Sequence, residues 1–356
     1  MNPHVLKALE IANRLDWSLL NCHDRALALA SSVYNESLVW NFLTCHYSGT
    51  SELKNFKSNN YYGSACYDYI AELSGLSFER RVVPHNELIN GLISCKLPCV
   101  LIINNYYRKG SKHFYKKSHP HFVFVYETNA DARRIKILDE LMEKQSWRPE
   151  NFKDGVEYEP QELSFDDAIE LTKETDKFAD EIGFDVKADG NAYAYYYAVE
   201  KIGDAKSSPD KILLSVYKSM IESRDSHLKY IQNQLECFSS KIEERYSDFP
   251  DIDSEHLAKL NANDPTGIKA KLYFPYEWQF VEFHYRFLKR IYVCEEHFLN
   301  IERENLPSLI NRYDLIKTQL SLFIMKRNYT AINSLITKFI TLYNDEISYL
   351  MQYKRK

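Results

Sequence analysis

The sequence predicts an α+β fold, an antiparallel sheet with a long helix ahead of it, followed by an all-α helical bundle. Three observations lead there. Short β-rich runs separated by turn residues occupy only the first half of the chain. One alanine- and leucine-rich helical run, Cys22 to Ala30, precedes them. Beyond residue 205 apolar residues recur at helical spacing almost to the C-terminus.

The β runs are Pro98 to Ile103, His121 to Tyr126 and Arg134 to Asp139. The turn formers Thr128-Asn129-Ala130-Asp131 make the last two antiparallel neighbours. Ala65 to Ser74 reads as a helix stopped by Gly75, ahead of a strand over Phe78 to Val83. Ser164 caps another helix, with Asp167 completing a capping box. Ala205 to Asp210 reads as a linker and helix start. After it come four apolar stripes: Leu228/Ile231/Leu235/Phe238/Ile242, Val281/His284/Leu288/Ile291, Ile310/Tyr313/Leu320/Phe323 and Ile332/Ile336/Phe339/Tyr343/Ile347/Leu350. Phe249 to Pro275 reads as an irregular crossing or lid, and the tyrosine-rich 193–197 as packing. The expected division is a catalytic domain over 1–175, a connecting segment over 176–210 and a helical domain over 211–356.

With 356 residues and 45% hydrophobic content the chain can bury two cores. A net charge of −5, without long blocks of one sign, gives no electrostatic footprint for nucleic acid or a membrane surface. No apolar stretch is of spanning length, so a cytoplasmic location is expected. The seven cysteines are scattered and form neither a disulfide framework nor a paired zinc pattern. Cys95 and Cys99 have the wrong spacing for zinc or CxxC redox chemistry, and no glycine-rich phosphate loop is present, so no cofactor or metal is expected.

Three residues in order carry chemistry: Cys22 opening a helix, His121 opening a strand and Asp139 closing the next. A helix N-terminus favours a thiolate and leaves backbone N–H groups free for an oxyanion. A histidine at a strand head can serve as base, and an acid on the adjacent strand can hold its tautomer. This is the order of a papain-like cysteine acyl-transfer site. Asn21, Ser18, Asn104 and Asn105 are the candidate side-chain oxyanion donors, with Tyr107 and His119 as further substrate contacts. Against this stand the plainer readings that Cys22 is a buried small hydrophobe, that His119 or His23 is the functional imidazole, or that His119-Pro120-His121 binds metal.

The segments Asn104-Asn105-Tyr106-Tyr107 through Tyr115, Lys117 and His119, His121 to Val125, Asn21-Cys22 and Ile137-Leu138-Asp139 resemble the butirosin-biosynthesis acyltransferase (protein H)-like family, a C39-like branch of the papain fold. The resemblance covers about residues 15–175. It implies a cysteine-dependent acyltransferase of antibiotic-like secondary metabolism, with Cys22 as nucleophile, His121 as base and Asp139 as orienting acid. It also implies an acyl or peptidyl carrier protein bearing a phosphopantetheine thioester as donor and a small-molecule amine as acceptor. The alternatives on the same triad are a hydrolase (peptidase, amidase or thioesterase) or a binding protein that has lost activity. The chain departs from the family pattern at Trp40 to Gly49, where a glycine-rich loop is usual, and at Asp139-Glu140, where Asp-Pro is usual. Six residues before Cys22 stands Asp16, where papain-like peptidases often carry a glutamine donor. The helical domain is expected to shape the acceptor side of the cleft, and Lys326, Arg327, Lys338 and Lys354 to Lys356 could meet an acidic carrier.

Overall fold

The computed structural model describes residues 3, 6, 10, 20, 22–44, 64–96, 98–111, 113–140, 158–179, 184, 191–246, 279–298 and 305–352. Two compact units divide the chain, Met1–Ile212 and Leu213–Lys356. Among the described residues no helix is long and apolar enough to cross a membrane.

The first unit is α+β. Its strands are β1 (Leu76–Pro84), β2 (Cys99–Asn104), β3 (Pro120–Asn129), β4 (Arg134–Glu140), β5 (Tyr158–Ser164) and β6 (Tyr193–Lys201). They form one sheet in the order β1-β6-β2-β3-β4-β5, with every neighbouring pair antiparallel. The helices are α1 (Cys22–Ser32), α2 (Leu38–Thr44), α3 (Ser64–Ser74), α4 (Leu88–Cys95), α5 (Phe165–Leu171) and the short α6 (Asp176–Ala179).

Strand β2 and the first half of β3 are buried on both faces, as a central strand requires. One face, with Leu101, Ile103, Val123, Val125 and Ile137, packs under α4 and α5. The other carries Val100, Ile102, Phe122 and Phe124 beneath α1. Helix α1 is buried nearly all round, and Ala26 to Ala30 are at most 3% exposed, so it is a core helix whose alanines let it lie close to the sheet. Tyr67 in α3 donates its hydroxyl to Asp24 Oδ1 at 2.8 Å, and Tyr34 donates to the Val199 carbonyl at 2.8 Å, which tie the two ends of α1 to α3 and β6.

The expected capping box is present: the Asp167 N–H donates to Ser164 Oγ at 3.0 Å, and the Ser164 N–H to Asp167 Oδ2 at 3.4 Å. The segment expected to connect the domains is different. Residues 193–201 are β6, the second strand of the sheet, between β1 and β2. Its tyrosines pack, as their composition suggested, but they pack inside the first unit. The boundary between units falls within α7 (Pro209–Glu222).

The second unit is helical. After α7 come α8 (Arg224–Tyr246), α9 (Gln279–Phe298), α10 (Leu306–Met325) and α11 (Tyr329–Met351), with α9 on α10, α10 on α11 and α11 on α8. The stripe residues Ile231, Leu235, Val281, Leu288, Tyr313, Leu320, Phe339 and Ile347 are buried, as helical periodicity predicts. Two carboxylates are fully buried among them. Glu346 faces His284 Nδ1 at 2.9 Å and accepts the Tyr313 hydroxyl, and Glu295 accepts those of Tyr217 and Tyr349 at 2.7 and 2.6 Å. Phe249 to Pro275 lies outside the described residues.

Gly75 ends α3 at φ +67°, and its carbonyl accepts the N–H groups of Ile202 and Gly203, fastening α3 to the end of β6. A Cβ here would meet the Asp204 and Gly203 carbonyl oxygens at 2.6 and 2.7 Å. Gly75→Ala therefore combines left-handed strain with a backbone clash and should destabilise the first unit by about 1–3 kcal/mol, read as a lowered urea midpoint at unchanged m-value.

Candidate active site

The site is assembled by one irregularity in the sheet. Near their shared turn, β3 and β4 pair Thr128 with Ile135 and Glu127 with Lys136; further along they pair Val125 with Ile137 and Phe124 with Leu138, leaving Tyr126 as a bulge. Continuing that second register sets Asp139 opposite Val123, which shares a face with His121. Without the extra residue Asp139 would oppose Phe124 and project from the other face. The bulge thus makes His121 and Asp139 diagonal neighbours. His121 Nε2 and Asp139 Oδ1 are 2.8 Å apart, with the two residues 5% and 1% exposed.

Helix α1 delivers the third group. Cys22 is its first residue, half-buried and outside any disulfide, and it lies close enough to His121 to favour a proton on that ring. Because Nε2 is engaged by Asp139, Nδ1 is the ring nitrogen left for the sulfur. What holds the helix start here is the next residue along. His23 stacks on Phe122 with ring centres 4.0 Å apart and planes at 7°, and on its other side lies 4.4 Å from the Tyr67 ring. Two consecutive residues of α1 therefore meet two consecutive residues of β3: Cys22 meets His121, and His23 meets Phe122.

The two imidazoles are tuned in opposite directions. Burial lowers the pKa of His23 to about 3, aided by the positive charge of Arg80, so this ring is a neutral packing group. Burial also opposes a proton on His121, but the charge and hydrogen bond of Asp139, with the Cys22 contact, outweigh it and raise the pKa to about 10; Arg108 acts against the rise. His121 is an imidazolium at neutral pH.

The other candidates fare differently. Asn21 and Ser18 lie outside the described residues. Asn104 is fully buried and its amide clamps the β2–β3 loop: Oδ1 accepts the N–H groups of Tyr106 and His119, and Nδ2 donates to the Lys173 carbonyl at 3.2 Å. That makes it the loop's fastening and not an oxyanion donor. Asn105 is 6% exposed, with a side-chain oxygen that has no hydrogen-bond partner among the described residues. Tyr107 lies under Lys173 and beside Glu174, turned towards the segment after α5. His119 is exposed and stacks on His113 with ring centres 4.5 Å apart, so neither it nor His23 stands where the base is needed. Among the described residues no three His, Cys, Asp or Glu side chains converge as a metal site. Of the two departures from the family pattern, residues 38–44 are the helix α2, 45–49 lie outside the described residues, and Asp139-Glu140 ends β4.

Sequence reasoning passed over Arg108. It is 7% exposed and its guanidinium pairs with Asp139 Oδ2, the oxygen that His121 leaves free. In sequence it is one cation in a loop that also holds Lys109, Lys112, Lys116 and Lys117, and nothing local marks it as the buried one.

The assembled groups are an accessible thiol, a buried cationic imidazole and a buried carboxylate in series, the arrangement that covalent thiol chemistry requires. The chain matches no protein-family model and no curated protein.

The opposed shifts define a stability window. His23 stays neutral when folded, so stability falls as the pH drops from about 6.5 towards about 3, where the unfolded chain alone takes up this proton. His121 holds its proton when folded, so its contribution is complete below about 6.5 and is lost as the pH rises through about 10. Urea midpoints across this range should show both limbs, with His23→Leu flattening the acid limb and Asp139→Asn the alkaline one.

Proposed function

We propose that this protein is a cysteine acyltransferase on a papain-like, C39-like fold, moving an acyl group from a thioester to an amine. The observation that carries the reading is the series Cys22, His121, Asp139, with Asp139 on Nε2 of a buried ring and Cys22 beside that ring. The nucleophile helix packed on an antiparallel sheet and the resemblance of residues 15–175 to the butirosin-biosynthesis acyltransferases support it. The donor is a phosphopantetheine thioester on an acyl or peptidyl carrier protein, and the acceptor is a small-molecule amine.

The chemistry follows from the charges. The His121 imidazolium stabilises the Cys22 thiolate, which attacks the thioester carbonyl. The carbon–sulfur bond of the donor breaks, and its thiol leaves with the proton from His121. The neutral imidazole, held by Asp139, then takes a proton from the attacking amine as the acyl–Cys22 bond breaks and the amide forms. Thioester and amine become thiol and amide, and the enzyme returns to its starting charge. The backbone N–H of Cys22, at the first turn of α1, and a side-chain donor such as Asn105 are the groups for the oxyanion.

Intact-mass measurement after incubation with an acyl-pantetheine thioester tests the reading, the expected result being one acyl group on Cys22, released as an amide by added amine. Release as free acid alone would favour the hydrolase reading. No acyl-enzyme, with Cys22 alkylated no faster than the exposed Cys237, would leave a binding protein. Cys22→Ala should abolish acylation while leaving the urea midpoint within experimental error, and His121→Ala should slow acylation about 10²–10⁴-fold.

A further inference from the structure

We propose that Arg108 is the fourth member of this site, a positioning residue that keeps Asp139 ionised and aimed at His121 throughout the reaction. The proposal rests on the acyltransferase reading and deepens it by assigning a role that the three-residue series lacks.

The two oxygens of Asp139 are divided, Oδ1 to His121 at 2.8 Å and Oδ2 to Arg108. The carboxylate is 1% exposed, and an anion withdrawn from water requires compensating charge. His121 supplies that charge only while it is an imidazolium. In the acyl-enzyme it has given its proton to the leaving thiol, and a buried carboxylate facing only a neutral ring would take up a proton itself. Arginine does not titrate in this range, so Arg108 holds the countercharge in both halves of the cycle. Its place is prepared by the loop. The Arg108 N–H donates to the Asn105 carbonyl at 3.3 Å, the Ser111 N–H donates to the Arg108 carbonyl at 3.1 Å, and the Asn105 N–H closes the neck on the His119 carbonyl at 2.9 Å. The charged and titratable groups facing His121 come from three elements: Asp139 from β4, Cys22 from α1 and Arg108 from this loop.

The test is the pH dependence of Cys22 alkylation by iodoacetamide, quantified by peptide mapping against Cys237 in the full chain. Arg108→Gln removes the charge and keeps a polar side chain of similar reach. Asp139 should then protonate at higher pH, moving the acid limb of the labelling profile up by about one unit, the size of effect a close opposite charge exerts. Arg108→Lys should leave the limb in its wild-type position. A folded Arg108→Gln variant with an unmoved limb overturns the assignment while leaving the acyltransferase reading intact. If Arg108→Gln does not fold, Arg108→Lys decides: a limb in place supports the charge role, and a limb displaced by about one unit overturns it. Wild-type protein in which Cys22 reacts no faster than Cys237 overturns both, and is distinguished by the wild-type trace alone.

Discussion

The buried hydrogen bond between His121 and Asp139 is the interaction around which the first unit is arranged. It joins two strand ends that share a face only because β3 carries one extra residue at Tyr126. The rest of the unit supports that contact. β2 and β4 flank β3, and α1 covers one face of the sheet while α4 and α5 cover the other. The His23–Phe122 stack converts helix-on-sheet packing into a specific register, which sets Cys22 at the start of α1 beside His121 near the start of β3. A ring pair of this kind contributes about 0.5–1.5 kcal/mol beyond its buried area. That is modest as stability but enough to select one alignment of the helix over a slipped one.

Buried carboxylates occur in both units, and their partners separate structure from chemistry. Glu295 is held by two tyrosine hydroxyls, which do not change charge near neutral pH. Glu346 does face an imidazole, His284, but the nearest thiol by sequence on that helix, Cys294, is wholly buried and burial raises its pKa. Cys95 and Cys99 lie 3.4 Å apart, and that contact together with burial raises the pKa of Cys99, so this pair is a poor source of thiolate. Cys22 is the described cysteine that combines partial exposure with an imidazole partner. A nucleophile needs a route to its substrate as well as a base, and of these cysteines Cys22 is the one the proposed reading places in that role.

Much of this was legible in sequence, and what was hidden has physical reasons. Cys22, His121 and Asp139 were readable because each stands at the end of an element, where polar residues interrupt apolar runs. The capping box at Ser164 and the stop at Gly75 were readable because they depend on local backbone chemistry. The bulge was not. His121 to Tyr126 is buried on both faces as far as Val125, so no alternation of apolar and polar residues records the register. Strand β6 was hidden for the same reason: Tyr193 to Val199 is uniformly buried, and a central strand without period-two patterning reads as generic packing. Strand β5 was hidden for the opposite one. At the sheet edge it carries Pro160, Glu159 and Glu162, residues that discourage further pairing and also erase a strand signature. The burial and pairing of Arg108 and Asn104 come from contacts across the fold, which composition does not encode.

The base strength of His121 bears on which reaction such a site suits. A ring that holds its proton to about pH 10 is a strong base once that proton has gone to a leaving thiol. In the proposed acyl-enzyme it would take a proton readily from whichever nucleophile approaches, amine or water. Basicity alone therefore does not select transfer over hydrolysis, and the choice passes to access. His121 and Asp139 are almost entirely sealed, while Cys22 as a residue is half-buried, so on the proposed reading the approach to the acyl group runs past Cys22. An acceptor that fills that approach excludes water and presents its nitrogen to the ring in the same act. On the proposed reading, selection of amine over water falls to whatever lines the approach to Cys22, while His121 and Asp139 supply a proton cycle that works equally for either nucleophile.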